Sequence, residues 1–432
     1  NKSFYSLSIC SDPSTVKNIK EDEIALDPSE IPYSISWDIN EIKSFFQKKD
    51  PTVTFATYQS SRLIKKAQDS LKKHKFDLVI ADEAHKCVGN LKSDFATVLD
   101  DSKIRSKKKL FTTATPKVFS KNIVDEAKIK KFETVDMNDE ARFGKVLYKF
   151  PFSEAIKKNQ LTDYKLVLMG VSNDQIKQFV SLSKSVIIKN KLISDSKSLG
   201  SQIGLVKAIK DHNLSKIISF HGNIEKSKYF SEIFPSVFKW MKQKFKNRKK
   251  VTTDYVSGKM LTYVRKLKLD KLKSVKQNEI GLLSNARCLS EGVDVPTLDG
   301  IIFFDTRESE VDIVQSVGRV IRKSGSPKKK FGYIIVPVFV SDKKNIQKTL
   351  NKSNYKTVFK VINALRSHDD SFKIEIDNLK INSNKKTINS RSKKIIIDLP
   401  ENINKSFQEK INTFVIDKIP NEWDFYIELL KN

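Results

Sequence analysis

Apolar runs of strand length alternate with a longer stretch of helical periodicity in the first part of the chain. The apolar runs cover residues 4–10, 53–58, 76–82 and 109–115, and the helical stretch covers 60–75. The runs are apolar on both faces, which is typical of strands in a parallel sheet that helices cover on both sides. This part of the chain is therefore predicted to form an α/β lobe with a doubly wound parallel sheet.

The same alternation recurs after a break near residues 145–165. Six further apolar runs predict strands at 163–171, 216–221, 251–257, 279–286, 298–305 and 332–338. Beyond these runs the chain becomes rich in Lys, Asn and Ser, with a helical pattern at 355–370. We therefore predict a first α/β lobe over residues 1–150, a second over 151–340, and a smaller helical C-terminal region over 341–432.

The net charge of the chain indicates the class of partner that it binds. The formal net charge is +29, from 80 basic and 51 acidic residues. A surplus of this size favours polyanions, nucleic acid first and an anionic membrane surface second. A second interpretation stays open, because only 11 of the basic residues are arginine, and an excess of lysine is also typical of a solvated surface.

The cysteine content and the hydropathy of the chain indicate its cellular compartment. Cys10, Cys87 and Cys288 are widely spaced and odd in number. This pattern indicates a reducing, cytoplasmic environment and neither a disulfide framework nor a zinc site. No apolar run approaches the roughly 18 residues of a membrane-spanning helix, so no membrane association through such a helix is expected.

The most informative short stretch is DEAH, which follows the apolar run that begins at Phe76. Asp82 and Glu83 come directly after the apolar residues, and His85 is two positions further on. In α/β folds, ligands bind at the carboxyl ends of parallel strands. An Asp that holds Mg²⁺ and a Glu that orients the attacking water are the two groups that phosphoryl transfer needs. The alternative is a solvated acidic turn after a strand.

Two threonines follow the next predicted strand. Thr113 and Thr115 belong to the stretch TTATP, about 30 residues after Asp82. If the two strands are neighbours, these hydroxyls can hydrogen-bond the carboxylates and couple them to a moving partner. Thr is common in strands, so this signal is weak by itself.

The second predicted lobe contains a cluster of the scarce arginines. Arg319 and Arg322 are three residues apart, and Gln315 precedes Arg319 by four. On a helix these three side chains would share one face, where guanidinium groups match phosphate oxygens. The alternative is an amphipathic surface helix. Two lobes, one with an acidic edge and one with an arginine edge, suggest a cleft that closes on a nucleotide.

The order of the motifs carries a resemblance to a known family. DEAH, TTATP, EGVDVP and QSVGRVIR follow one another as in the superfamily-two helicases and translocases. The chain over about residues 4–370 resembles, more narrowly, the helicases of bacterial restriction and phage-defence systems, including the type ISP class. The resemblance implies two RecA-like lobes and an ATP-dependent, Mg²⁺-requiring motor. It also implies nucleic acid, with DNA favoured, as the partner.

The resemblance also implies roles for individual residues. In the first lobe, Asp82 would hold Mg²⁺, Glu83 would activate water, and His85 would link the site to the second lobe through Thr113 and Thr115. In the second lobe, Arg319 and Arg322 would be arginine fingers with Gln315 beside them. Residues near the ribose that sense the state of the nucleotide would be Glu291, Gly292 and Asp294. Contacts to nucleic acid would come from Thr57, Tyr58, Gln59, Ser219, His221, Gly222, Ser257, Gly258 and Lys259.

One motif of the family does not occur in the sequence. No stretch fits G-x-x-x-x-G-K-[ST], and the family places this phosphate-binding loop before the strand at 4–10. We therefore expect a first lobe truncated at its N-terminus, with bare apolar strand surface. By itself, the chain is expected to bind nucleic acid weakly, to bind ATP hardly at all and to be inactive. A helicase-like scaffold that binds nucleic acid without ATPase activity is the alternative. A nuclease or methyltransferase domain or subunit, if there is one, is expected outside these residues.

Overall fold

A computed structural model describes most of the chain. The described residues are 4–10, 35–119, 133–172, 196–245, 249–276, 278–286, 298–305, 309–323, 331–340, 354–384 and 392–398. They form two compact units, and the chain passes from the first to the second between Lys149 and Phe150. Both units are built from parallel strands and helices, which confirms the predicted α/β class with two RecA-like lobes.

The first unit contains two parallel sheets that its helices cover. The three-stranded sheet has the order β2 (Ile35–Ser36), β1 (Tyr5–Ile9), β3 (Thr52–Ala56). The amphipathic helices α1 (Ile39–Phe46) and α2 (Ser61–Ser70) bury Ile42, Phe45, Ile64 and Ala67 against Leu7 and Ile9. These contacts form the core on one side of the sheet.

The second sheet of this unit supplies the candidate site. Strand β4 (Phe76–Ala81) pairs in parallel with β6 (Ser106–Phe111), with Ala81 opposite Phe111. Strand β6 begins at Ser106, just before a run of lysines and before the predicted start at 109, and it ends before the threonines. Sequence reasoning placed it too late because Lys107 and Lys108 are exposed and give no apolar signal.

The smaller elements of the first unit follow this sheet. Strands β5 (Gly89–Asn90) and β7 (Thr134–Val135) pair in antiparallel fashion, and the short helix α3 spans Glu140–Phe143. Large apolar side chains remain exposed on the strands of this unit, including Phe55 on β3 and Leu78 and Ile80 on β4.

The second unit is built on one seven-stranded sheet. Its strand order is β10-β11-β9-β12-β13-β8-β14, and all pairs are parallel. The strands are β8 (Asp163–Ser172), β9 (Lys216–His221), β10 (Lys250–Ser257), β11 (Glu279–Ala286), β12 (Gly300–Phe303), β13 (Phe331–Val340) and β14 (Ile395–Asp398). Each of the six runs predicted to be strands from residue 163 to 338 coincides with one of these strands.

The strands of the central sheet are apolar on both faces, as the sequence predicted. On β8, Leu166 and Leu168 join the core on one face, and Val167 and Met169 join the core on the other. The face of Val167 is covered by α5 (Ser196–Asp211) and α6 (Ile224–Phe245). The opposite face is covered by α7 (Thr262–Lys273), α8 (Glu310–Val320), α9 (Asn354–His368) and α10 (Asp370–Asn384), and the short helix α4 (Phe152–Lys157) also packs there.

The region after residue 340 differs from the expected separate helical region. Helices α9 and α10 do form, but they bury Val358, Leu365 and Phe372 in the same core as β8. Strand β14 then adds to the sheet beside β8, with Ile395 opposite Leu166. The sequence did not indicate this strand, because only four residues pair and a polar segment precedes them.

A buried ionic cluster fixes this return of the chain. The carboxylate of Asp369, at the junction of α9 and α10, is fully buried and accepts hydrogen bonds from Tyr164 Oη at 2.7 Å and from Lys394 Nζ at 2.8 Å. The hydroxyl of Ser371 also donates to it, at 2.6 Å. Lys394 lies 3.3 Å from Asp163 as well. Three segments that are distant in sequence are therefore held by one carboxylate.

None of the helices in the described part of the chain has both the length and the apolar character that a bilayer-spanning segment requires.

Candidate nucleotide site and nucleic-acid interface

The ends of β4 and β6 form an interlocked pair of loops. Thr112 N donates to the carbonyl oxygen of Ala81 at 3.0 Å, and Ala84 N donates to the carbonyl oxygen of Thr112 at 2.9 Å. The side chain of Thr112 then donates to Asp82 Oδ1 at 2.8 Å, and Glu83 N donates to the same oxygen at 2.9 Å. Asp82 is thus exposed yet held in one orientation at the carboxyl end of the strand.

Glu83 has an unusual backbone conformation. Its φ and ψ are 51° and 44°, in the left-handed region that residues other than glycine rarely adopt. This conformation costs roughly 1 kcal/mol and persists only where the surrounding contacts impose it. It turns the chain sharply after Asp82 and brings Glu83 Oε2 to 3.3 Å from Nδ1 of His85.

His85 is the centre of the polar contacts behind the two carboxylates. Its ring is buried, and Nδ1 lies 3.0 Å from Thr113 Oγ1 and 3.4 Å from Thr115 Oγ1. Thr115 N donates to Thr113 Oγ1 at 3.1 Å. The structure therefore brings together the predicted histidine and both predicted threonines.

The two predicted threonines contact the histidine and not the carboxylates. Thr113 and Thr115 were expected to hydrogen-bond the carboxylates, but their hydroxyls contact His85. The carboxylate contact is made by Thr112, which sequence reasoning did not single out. The signal was present in the strand register, because a strand that ends at Phe111 opposite Ala81 places Thr112 beside Asp82.

The residues at this edge fit a magnesium ion. No described residue donates a hydrogen bond to Asp82 Oδ2, since the contacts of Thr112 and Glu83 both go to Oδ1. Mg²⁺ prefers oxygen ligands and is often held by one or two carboxylates together with water and substrate phosphates. Within the described ranges there is no cluster of three or more His, Cys, Asp or Glu residues that could hold a metal by itself. A single carboxylate completed by phosphate oxygens matches this donor set.

The predicted nucleic-acid motif Thr57–Gln59 lies next to the same loops. Tyr58 donates from its hydroxyl to the backbone carbonyl oxygen of Asp82 at 2.6 Å. Its ring packs against Phe95, with centroids 5.9 Å apart. Burial, followed by the neighbouring Cys87, raises the pKa of the Tyr58 hydroxyl far above its usual value. Burial also raises the pKa of the Cys87 thiol to about 11.

Thr57 and Gln59 flank this tyrosine on the surface. Thr57 is exposed, Gln59 is partly exposed, and Thr57 Oγ1 lies 2.9 Å from Ser60 Oγ. The turn that begins at Tyr58 leads directly into α2. Thr57 and Gln59 are therefore the sequence neighbours of Tyr58, whose hydroxyl hydrogen-bonds the backbone of Asp82.

The arginine cluster of the second unit is arranged differently from the prediction. Gln315 and Arg319 share a face of α8, and Arg319 is buried with 8% of its surface exposed. Arg322, however, is exposed and lies beyond the end of the helix at Val320, where its backbone bridges to Leu161. The expectation that both arginines share one helical face is therefore wrong. Ile321 already caps the helix, and its N–H donates to the carbonyl oxygen of Val317.

The first predicted contact loop of the second unit, residues 219–222, is largely internal. Ser219 and His221 are buried, with His221 Nε2 3.0 Å from Ser219 Oγ. These side chains are buried because they belong to the internal strand β9, and their assignment to nucleic-acid contact stays a prediction. Gly222 follows the strand, and its N–H donates to Asp305 Oδ2 at 2.8 Å. Asp305, which the sequence did not single out, also accepts from Lys226 Nζ at 2.9 Å.

The second predicted loop, residues 257–259, is held by a buried arginine. Ser257 and Gly258 are buried, and Lys259 is exposed. Arg265 is 5% exposed and donates from Nη1 to the carbonyl oxygens of Gly258 at 3.2 Å and of Met260 at 2.7 Å. Its rarity among so many lysines could have identified it. The remaining predicted residues, Glu291, Gly292 and Asp294, lie outside the described part of the chain.

Two family models match the sequence, one in each unit. Residues 11–118 match the family described as type III restriction enzyme, res subunit. Residues 203–324 match the helicase conserved C-terminal domain. The first match contains the DEAH and TTATP stretches, and the second contains Gln315, Arg319 and Arg322.

Similar proteins are helicases and restriction enzymes. A probable helicase of African swine fever virus is 26% identical over 337 residues, which are 76% of this chain and 32% of that protein. The ATP-dependent type ISP restriction-modification enzyme LlaBIII, in a structure bound to DNA, is 26% identical with a TM-score of 0.72, covering 97% of this chain and 30% of that one. A nuclease-deletion mutant of the type ISP enzyme LlaGI has a similar fold, with a TM-score of 0.59 at 24% identity, over 98% of this chain and 26% of that one.

These relatives are much longer than the chain, which spans about a third of their length. The domain matches, the fold and the helicase relatives agree with one another and with the order of the motifs. Together these findings support a superfamily-two helicase of the restriction type.

Proposed function

We propose that the chain forms the two lobes of an ATP-driven motor that moves along or opens nucleic acid, with double-stranded DNA as the favoured substrate. The observation that carries this proposal is the interlocked end of β4 and β6. There Asp82 is held by Thr112, and Glu83 and His85 are held in mutual contact. A solvated acidic turn would not require a left-handed glutamate or a buried histidine between two threonines.

The proposed chemistry at this edge is phosphoryl transfer to water. Mg²⁺ bound at Asp82 would neutralise charge on the phosphate oxygens of ATP. Glu83 would accept a proton from the attacking water and orient it, which is the role of the water-positioning residue in such sites. Thr112 would keep the Asp82 carboxylate in its orientation. His85, in contact with Glu83 and with both threonines, would register changes in the position of Glu83.

The second unit would contribute positive charge and nucleotide sensing. The resemblance assigns to Arg319 and Arg322 the stabilisation of charge on the triphosphate during hydrolysis, with Gln315 beside them. Guanidinium groups suit this role because they remain charged when desolvated and match phosphate geometry. Glu291, Gly292 and Asp294 are assigned the sensing of the nucleotide by the same resemblance.

Nucleic acid would be held by its phosphates. The candidate contacts are Thr57 and Gln59 in the first unit and Gly222, Gly258 and Lys259 in the second. Contacts to the phosphate backbone of nucleic acid do not depend on the base sequence. The binding affinity that they supply falls steeply as the salt concentration rises. The net charge of +29 supports such binding.

The relatives support DNA and a role in restriction or phage defence. LlaBIII is described as a restriction-modification enzyme bound to DNA, and LlaGI as one in complex with a DNA substrate mimic. By analogy, this motor would drive a nuclease or methyltransferase that lies elsewhere in the full-length protein or in a partner subunit.

A second candidate is a scaffold that binds nucleic acid without hydrolysing ATP. It is favoured by one observation, the absence of a G-x-x-x-x-G-K-[ST] stretch in the 432 residues. Measuring phosphate release by the full-length protein, with and without double-stranded DNA, separates the two. Release that DNA stimulates supports the motor. DNA binding without release at saturating ATP would overturn it in favour of the scaffold.

A further inference from the structure

We infer that the hydroxyl of Tyr58 couples nucleic-acid binding to the hydrolytic carboxylates, as a positioning residue that fixes the Asp82–Glu83 peptide. The inference rests on the proposed function and deepens it, because it names how the site would be regulated. The family resemblance assigns Tyr58 only a contact to nucleic acid.

A direct hydrogen bond joins Tyr58 to the backbone of Asp82. Tyr58 Oη donates to the backbone carbonyl oxygen of Asp82 at 2.6 Å, which lies at the short end of the range for O–H···O hydrogen bonds. It spans 24 positions of sequence and joins the turn after β3 to the end of β4. A nucleic-acid-facing turn and a metal-binding residue are thus linked by one hydrogen bond, without an intervening side chain.

This hydrogen bond controls the orientation of the peptide group between Asp82 and Glu83. The carbonyl of Asp82 belongs to the peptide that precedes Glu83, so its orientation is tied to the φ of Glu83. The N–H of that same peptide donates to Asp82 Oδ1 at 2.9 Å. Both polar groups of the peptide are therefore held, which stabilises the left-handed conformation of Glu83. Release of the carbonyl would leave Glu83 free to move toward a more common conformation and would displace its carboxylate.

Tyr58 can transmit a displacement of the Thr57–Gln59 turn to the peptide group after Asp82. Its ring packs against Phe95 and lies beside Cys87, so a shift of the Thr57–Gln59 turn moves the hydroxyl and is not absorbed by ring rotation. Nucleic acid bound at this turn would therefore act on the position of Glu83.

The test is the ratio of ATP turnover at saturating DNA to turnover without DNA, measured in the full-length protein. Tyr58→Phe removes the hydroxyl and keeps the ring. We expect the ratio to fall about 5-fold or more, as a coupling between two sites predicts. The DNA concentration for half-maximal stimulation should change much less than the ratio. Tyr5→Phe, which removes an exposed hydroxyl from the same unit, is the matched control and should leave the ratio unchanged.

The possible results of this experiment distinguish a coupling role of Tyr58 from a structural one. A purely structural role would lower both turnover values together and leave their ratio intact, and an unchanged ratio in Tyr58→Phe would overturn the inference. If the wild type shows no DNA-stimulated hydrolysis at all, the proposed function fails, and this inference fails with it. Should Tyr58→Phe not fold, Phe95→Leu keeps the hydroxyl but loosens the ring. It should lower the same ratio, and an unchanged ratio there would count against the coupling.

Discussion

Thr112 donates a hydrogen bond from its hydroxyl to Oδ1 of Asp82, at 2.8 Å, across the ends of two neighbouring parallel strands. The acidic motif is thereby held by the residue before the predicted threonine pair, not by the pair itself. The contact is to Oδ1, and no described residue donates a hydrogen bond to Oδ2 of Asp82. It is the simplest place to test whether the carboxylate must be oriented for activity.

Thr112→Val tests this orientation. Valine keeps the shape of threonine and removes the donor, so the carboxylate of Asp82 loses one of its two hydrogen bonds. We expect ATP turnover in the full-length protein to fall about 10-fold, in proportion to the roughly 1.4 kcal/mol of a charge-assisted bond. The Mg²⁺ concentration needed for half-maximal activity should rise. Thr52→Val, at an exposed position on β3, is the control, and equal turnover in both variants would refute the role of Thr112.

Arg322 lies outside α8, so its role does not depend on sharing a face with Arg319. We expect Arg322→Lys to lower ATP turnover by about 10³-fold while leaving ATP affinity nearly unchanged, because an ammonium lacks the planar fork that matches phosphate. Single-turnover kinetics and equilibrium ATP binding measure the two effects. Arg142→Lys, at an exposed position of the first unit, is the control. Full activity of Arg322→Lys would indicate that Arg322 is a surface residue without a part in hydrolysis.

Asp369→Asn tests the buried cluster that holds α9, α10 and β14 together. The substitution leaves Lys394 in the interior with Asp163 as its one remaining acidic partner among the described residues, so the free energy of unfolding should fall by about 3 kcal/mol. Urea denaturation of the chain measures this loss. Asp370→Asn, at the exposed neighbouring position, should cost less than about 1 kcal/mol. Equal losses would contradict the cluster.

The same cluster predicts a pH dependence. Burial of Asp369 disfavours its ionised form, but the hydrogen bonds from Lys394, Ser371 and Tyr164 outweigh burial and lower its pKa. The stability that the ionised carboxylate supplies is therefore complete above the unfolded pKa of about 3.9 and is lost as the pH falls through the lower folded pKa. The difference in unfolding free energy between the wild type and Asp369→Asn should narrow as the pH falls from about 6 to about 3. A constant difference would refute this linkage.

The second unit should fold by itself only if the fragment includes β14. The helices after residue 340 bury Val358, Leu365 and Phe372 in the common core, and β14 covers one edge of the sheet. A fragment of residues 150–398 is expected to unfold cooperatively on heating, whereas residues 150–340 should aggregate or lack a transition. Circular dichroism and calorimetry distinguish these results. Cooperative unfolding of the shorter fragment would contradict the shared core, and it would restore the expected separate C-terminal region.

The sequence predicted those features that depend on local pattern. Apolar runs located the strands, and the position of DEAH after a run located Asp82 and Glu83 at a strand end. The contacts that sequence did not indicate are polar and long-range. Tyr58, Asp305 and Arg265 each hydrogen-bond to backbone groups of another loop, and such contacts follow from strand register and have no compositional signal. Sequence periodicity also cannot locate where a helix ends, which is why Arg322 was misplaced.

The most direct test of the account is phosphate release by the full-length protein carrying Glu83→Gln. Glutamine keeps the size of glutamate and removes the group that accepts the proton of the attacking water. We predict that ATP still binds, that DNA still binds, and that DNA-stimulated turnover falls by about 10²–10⁴-fold. Glu41→Gln, at an exposed position on α1, should retain wild-type turnover. Wild-type turnover in Glu83→Gln would contradict the assignment of this strand end as the hydrolytic site.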